Sequence, residues 1–371
     1  MADSTSIAGP SQPKKRKVSK KLTDAEILEL LEKSDLSDYD SVDDEDYGWD
    51  STSESEGDSD VAVDNLEMSD FDTEDQQLPV IRQVDWKTDS SCMVSHTFTK
   101  SESLLIQPTE STPIGYFRLF LTEVFLEKIV EETNRYALEI QNSDKTKEKS
   151  RITLWKDLKV DEFLVFSGAF LQMGTVRMNR LQDYWKKDPL FHNAGSIANS
   201  IGRNRFLLIL HALHFAKNSE PGEPQPTDRL YKIRPVIDFF NERMCEIYYP
   251  NRELSLDESM VLWRGKLLFR QYIKNKRHKY GIKLYILSTS SGIVQKIAVY
   301  TGLLDDYGGQ NHTQKIVLHL LNEKLNVGHH VFMDNYYNSF DLAKLLLDIK
   351  THCTGTLRTT RKNTPKNVQT T

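Results

Sequence analysis

From Pro113 onward the apolar residues fall into two regimes. Phe117, Phe120, Leu121, Val124 and Phe125 recur at the three- and four-residue spacing of one helix face. Residues 163–173 and 205–216 repeat that texture. So do residues 234–249, which place Val236, Phe239, Phe240 and Met244 on one side. Residues 113–250 therefore read as a mainly helical domain, broken by a loop over 220–226 where three prolines and a glycine interrupt any regular element. After Asn251 the period changes. Residues 254–257, 266–273, 282–289 and 294–300 read as successive strands. A helix follows, with Asn311 as its cap, Gln314 completing a box-like pair, and Ile316, Val317, Leu320 and Leu321 on its face; Gly328 is its natural stop. Residues 331–333 read as a buried strand, and Leu342, Leu345, Leu346 and Ile349 mark a second helix before a last strand over 353–357. Strands in a row, then helix, strand, helix, strand, describe an α/β core over 251–371.

The first 112 residues have a different character. Residues 1–21 carry six Lys or Arg against Asp3, and residues 22–75 carry 22 Asp or Glu against Lys33. The overall charge of -6 thus leaves +10 on the remainder. The acidic tract offers too little apolar surface to offset the entropy of ordering, so disorder is expected there. A basic body behind an acidic tail suits a polyanionic partner such as double-stranded DNA. Within 13–18, Lys14, Lys15, Arg16 and Lys17 form a compact basic run of the kind read by nuclear import receptors. Residues 76–112 read as a linker. Cys92, Cys245 and Cys353 are too far apart for a zinc-finger spacing, so no zinc site is expected, and no apolar run approaches the ~18 residues of a membrane span.

The candidate chemistry lies in the second half. Asp257 and Asp334 each fall at the end of an expected strand, 77 residues apart. If those strands are neighbours, the two carboxylates meet at one sheet edge as hard oxygen ligands for Mg²⁺ or Mn²⁺. Between them runs a basic stretch of Arg264, Lys266, Arg270, Lys274, Lys276, Arg277, Lys279 and Lys283, interleaved with Trp263, Tyr272 and Tyr280. Such a stretch beside a carboxylate pair could hold a phosphate backbone; the competing reading is a solvated strand face. Glu258 alternates to the other side of its strand and is not expected to replace either aspartate. His211 and His214, three apart on an apolar segment, read better as core residues than as metal ligands.

These residues also carry a resemblance. Thr133-Asn-Arg-Tyr136, Phe170-Leu-Gln-Met-Gly174, Asp183-Tyr-Trp185, Tyr231-Lys-Ile-Arg-Pro235, Leu256-Asp-Glu-Ser-Met260, Tyr272-Ile-Lys-Asn-Lys276, Tyr280-Gly-Ile-Lys283, Asp334-Asn-Tyr-Tyr337 and Gly355-Thr-Leu-Arg358 stand in an order similar to that of the piggyBac transposases and the host proteins derived from them. The resemblance covers about residues 113–362. It implies a helical dimerisation and DNA-binding domain over 113–250, then a partial RNase H-like core over 251–371. It also implies cut-and-paste chemistry at three metal-holding aspartates, of which Asp257 matches the first and Asp334 the second. The third, and the family's cysteine-rich zinc domain, lie further along than Thr371. The expectation is therefore a nuclear DNA-binding protein without full cleavage activity, with a second copy of the chain as a candidate partner through the helical domain. The alternatives are part of an active metal-dependent transposase and a protein-interaction scaffold working through its acidic tail.

Overall fold

The computed structural model describes residues 93–144, 146–186, 195–220, 222–224, 226–263, 265, 267–273, 280–302, 307–361 and 363–364. The basic run at 13–18, the acidic tract at 22–75 and its expected disorder lie outside the described residues. Six helices precede the sheet among the described residues: α1 (Pro113–Phe120), α2 (Glu123–Gln141), α3 (Val160–Thr175), α4 (Gly195–Ser200), α5 (Arg203–Ala212) and α6 (Arg234–Ile247). The apolar series from Phe117 to Phe125 is not one helix. Leu121 is extended (φ -101°, ψ 95°), and the Thr122 hydroxyl accepts the Phe125 N–H at 3.4 Å, starting a new helix. Phe120 and Val124, expected inside, are 41% and 76% exposed. The side-chain cap at Thr122 outweighs the apolar periodicity and resets the helix phase. Phe125, Ile129, Phe163, Phe166, Phe206 and Ile209 then pack as one cluster. Asn134 stitches it to the 155–158 loop, exchanging hydrogen bonds with both backbone groups of Leu158 at 2.7 and 3.0 Å. The helix expected over 205–216 stops at Ala212, so His211 and His214 do not share it. His214 is buried, stacked 4.1 Å from the Tyr136 ring, while His211 is exposed.

The sheet is built around β3 (Glu253–Leu262). On one side β3 pairs antiparallel with β5 (Tyr280–Thr289) from Leu254↔Thr289 to Leu262↔Gly281. On the other it pairs parallel with β7 (His330–Met333), and β7 pairs parallel with β8 (His352–Gly355). The far edge of β5 carries β6 (Val294–Val299) and the two-residue β4 (Gln271–Tyr272). A separate short ribbon joins β1 (Ser103–Leu104) to β2 (Tyr248–Tyr249). Two expectations change. β3 does not end at Asp257 but runs five residues past it, held by β5. The strand expected over 266–273 is reduced to β4 among the described residues.

Helices α7 (His312–Leu321) and α8 (Phe340–Asp348) cover one face of the sheet. Leu254, Leu256, Tyr285, Leu287, Val331 and Met333 meet Ile316, Val317, Leu320, Leu342 and Leu346 there, each contributing about 1.5–3 kcal/mol by burial. Asn311 precedes α7 in the left-handed region (φ 58°), and its side chain makes no cap, contrary to the sequence expectation. Gly328 is not the helix stop either. α7 ends at Leu321, and Gly328 (φ 93°) lies against the 97–98 backbone, where a Cβ would sit 2.4 Å from the Thr97 carbonyl oxygen. The other sheet face is partly covered by Leu230, Phe269 and Val299 with Ile282 and Leu284 beside them. Asn241 of α6 seals β6 by exchanging hydrogen bonds with both backbone groups of Ile297 at 2.8 and 2.9 Å. No helix among the described residues is long and apolar enough to cross a membrane.

Candidate active site at the edge of the sheet

Parallel pairing of β3 with β7 matches Leu254 with Val331, Ser255 with Phe332 and Leu256 with Met333. Matched residues share a face, and successive residues alternate between faces. Leu254, Leu256, Val331 and Met333 take the core side. One step beyond Leu256 and Met333 stand Asp257 and Asp334, on the side of Ser255 and Phe332, and both are exposed. Neighbouring strands lie about 4.8 Å apart, a spacing across which two carboxylates can share one small cation. Local backbone orients each of them. Asp257 Oδ1 accepts the Glu258 N–H at 2.8 Å, and Asp334 Oδ1 accepts the Tyr336 N–H at 2.9 Å in a turn completed by Asn338 N–H on the Asp334 carbonyl at 3.2 Å.

Behind this pair is a polar layer on the core side. Glu258, Tyr285, Lys283 and Met260 share that side through the Glu258↔Tyr285 and Met260↔Lys283 pairs. Tyr337, fully buried, donates its hydroxyl to Glu258 Oε2 at 3.4 Å. Burial pushes the Tyr336 phenol up to about 12; burial raises Tyr337 too, and the Glu258 carboxylate reinforces it. Both phenols therefore stay neutral. Lys283 is not on a solvated basic face. It is 5% exposed, with its ammonium 4.8 Å from the Tyr285 ring and 4.4 Å from the Tyr336 ring. The alternation Lys283, Tyr285, Leu287 explains this, because the residue shares the face of two core residues. Arg270 is half-buried, donating to the Gly265 carbonyl at 3.3 Å with its guanidinium 5.7 Å from the Tyr280 ring. Arg264, Lys266, Lys274, Lys276, Arg277 and Lys279 lie outside the described residues.

Two cations at this edge escaped the sequence reading. Arg358 Nε donates to Asn335 Oδ1 at 3.4 Å, and Arg361 Nη2 donates to the Tyr336 carbonyl at 2.7 Å. Both follow β8. Because β8 is parallel to β7, its exit emerges at the same edge as Asp334. Only a correct strand order could have revealed that.

The donor set fits a hard divalent cation. Two carboxylates of like charge side by side favour a counter-cation, and Mg²⁺ is commonly held by one or two carboxylates plus water and substrate phosphate. Among the described residues no group of three or more His, Cys, Asp or Glu is placed to hold an ion, so the pair would supply part of a coordination shell.

The family model described as Transposase IS4 matches residues 112–371, and human PiggyBac transposable element-derived protein 2 is 28% identical over 265 residues. The chain belongs to the piggyBac family of transposases. The match to that human protein covers 68% of this chain and 41% of the relative. Human PiggyBac transposable element-derived protein 3 is 28% identical over 253 residues, covering 67% and 40%. The chain thus spans about two fifths of the length of these relatives. A piggyBac transposase solved as a synaptic complex with hairpin DNA shares the fold at a TM-score of 0.60 and 24% identity, over 71% of this chain and 54% of that one. This piggyBac-family chain is transposase-like or transposon-derived, and its mixed sheet resembles the fold of that transposase.

Proposed function

We propose that residues 251–371 form a partial RNase H-like core that engages double-stranded DNA, with Asp257 and Asp334 as ligands for Mg²⁺ or Mn²⁺. The observation that carries this reading is the β3–β7 register, in which Asp257 and Asp334 each stand one step past the Leu256–Met333 pair, on the face away from α7 and α8. The strand order supports it: an antiparallel β3–β5–β6 unit is extended on the other side by parallel β7 and β8. A cation bound there would polarise a phosphate oxygen and lower the pKa of a water. The chain's own part is to hold that cation against the DNA backbone and to set Arg358 and Arg361 beside the turn after Asp334. Arg264, Lys266, Arg270, Lys274, Lys276, Arg277 and Lys279 are the proposed phosphate contacts; the buried Lys283 is left out of that set. Residues 113–250 are proposed as the dimerisation and DNA-binding part, and the 13–18 run as a nuclear import signal. Asp257 and Asp334 would supply part of the cation's shell, and DNA binding is the activity proposed for these residues. The hairpin-DNA complex formed by the solved relative favours DNA as the partner.

Fluorescence anisotropy with a labelled duplex tests the reading. Binding should fall steeply as salt rises. Asp257→Asn should leave cation-free binding intact while removing any Mn²⁺-dependent gain or nicking. Absence of a DNA complex at low salt overturns the reading.

A further inference from the structure

Beyond Asp257, β3 runs five residues further as an arm paired with β5, and its described end is apolar and exposed. Val261, Leu262 and Trp263 are 46%, 45% and 43% exposed. Large apolar groups in a row at the surface mark a contact site. The arm is also built to present one ring. A Cβ on Gly265 would lie 2.8 Å from Trp263 Nε1 and 3.1 Å from its Cζ2, so the indole rests on bare glycine backbone. Any larger residue at 265 would push the ring away. With one side supported by backbone and nearly half of the residue open to solvent, Trp263 has the form of a stacking platform.

Charge selects the occupant. Residues 264–279 contain seven Lys or Arg and no Asp or Glu, so the indole is set in a strongly cationic segment. A protein partner matched to this surface would be acidic and aliphatic, whereas a nucleic acid offers both phosphate and a flat π-face. In an intact duplex those faces are hidden by their neighbours, so only an unpaired or frayed base can use the ring. The distance fits as well. Trp263 is six residues beyond Asp257, about 20 Å along an extended strand, or several nucleotides of a single strand.

We infer that Trp263 is a stacking platform for an unpaired base of the DNA bound at the Asp257–Asp334 edge. This deepens the proposed function and rests on it. Two probes separate the two ideas: a blunt duplex, and the same duplex with a short thymidine overhang carrying 2-aminopurine, whose emission is quenched on stacking. The full chain should bind the overhang probe more tightly than the blunt one and quench its 2-aminopurine. Trp263→Leu should weaken overhang binding about tenfold and abolish the quench, because stacking on an aromatic residue contributes about 1–3 kcal/mol per base. Blunt-duplex affinity should change by less than about twofold. Trp263→Phe should restore most of the difference, and Gly265→Ala, which displaces the ring without removing it, should reproduce the loss. If the parent chain binds both probes equally and Trp263→Leu changes neither, the platform is overturned and DNA binding survives. If the parent binds neither probe at low salt, both ideas fall.

Discussion

The two sides of β3 carry the same alternating backbone to opposite ends. On one side Leu254 and Leu256 are 1% exposed, packed under α7 and α8, and Glu258 continues the row against buried Tyr337. On the other, Ser255 is half-buried and Asp257 and Ser259 are exposed. Asp257 and Glu258 are adjacent carboxylates, yet only Asp257 faces the side where Asp334 arrives. The difference shows how a sheet can hold like charges at its edge. The apolar side fixes strand register, and register alone places the second acid. The site needs little stabilisation of its own, because the face behind it supplies the geometry.

The largest effect should come from the apolar side. Leu256→Ala opens a cavity directly behind Asp257 and should cost about 2–5 kcal/mol, read as a lower urea midpoint with an unchanged slope. If stability holds, the core side does not set the register. On the open side, Asp257→Asn or Asp334→Asn should leave the thermal midpoint level or slightly raised, since removing one charge relieves repulsion. Either change should weaken Mn²⁺ binding, followed by electron paramagnetic resonance, at least about tenfold, because even groups that only orient metal ligands cost 10–100-fold. Equal Mn²⁺ affinity in both variants and the parent would show that the aspartates are structural.

Sequence periodicity revealed one side of this comparison better than the other. The core positions of β7 and α8 were readable from Val331, Met333, Leu342 and Leu346. The extent of β3 was not. Its outer half alternates too weakly (Ser259, Met260, Val261, Leu262), and it is β5 that holds it. Lys283 was misplaced because its charge outweighed its position two residues before Tyr285. Arg358 and Arg361 were invisible as site residues because their role depends on β8 being parallel to β7. The Thr122 cap was missed because an apolar series ran straight through it.

A smaller effect separates the sides by pH. His329 is fully buried at the start of β7, its ring nitrogens placed against the Arg252 carbonyl at 3.1 Å and the Tyr249 hydroxyl at 3.2 Å, with the Phe98 ring 4.8 Å away. Burial lowers its pKa, opposed in part by its hydrogen bond to Arg252, while nearby Lys324 adds to the lowering. The unfolded chain therefore binds a proton at higher pH than the folded one. The contribution to stability is complete above the ordinary histidine value of about 6.5 and is lost as pH falls below it, at up to about 1.4 kcal/mol per pH unit. His329→Asn should lower stability at neutral pH and flatten the loss between about pH 7 and about pH 5.5. An equally steep loss in the variant would assign the pH dependence to other groups, among them the buried His214.

The finest test concerns Lys283, where charge and position disagree. If the residue belongs to the core side, Lys283→Met removes a cation held between two aromatic rings. Such contacts contribute about 0.5–2 kcal/mol, partly offset by no longer burying a charge, so the thermal midpoint should fall slightly or not at all. The slope of log affinity for DNA against log salt should not move. Arg270→Met, made in the partly open basic segment, should reduce that slope by about one, because each neutralised phosphate releases about one counterion. The pair of slopes decides the matter without a structure of the complex. A slope that falls with Lys283→Met while stability stays level would place its ammonium on the DNA. Lys283 and Tyr285 would then face solvent together, and the assignment of β5 to a closed and an open side would have to be reversed.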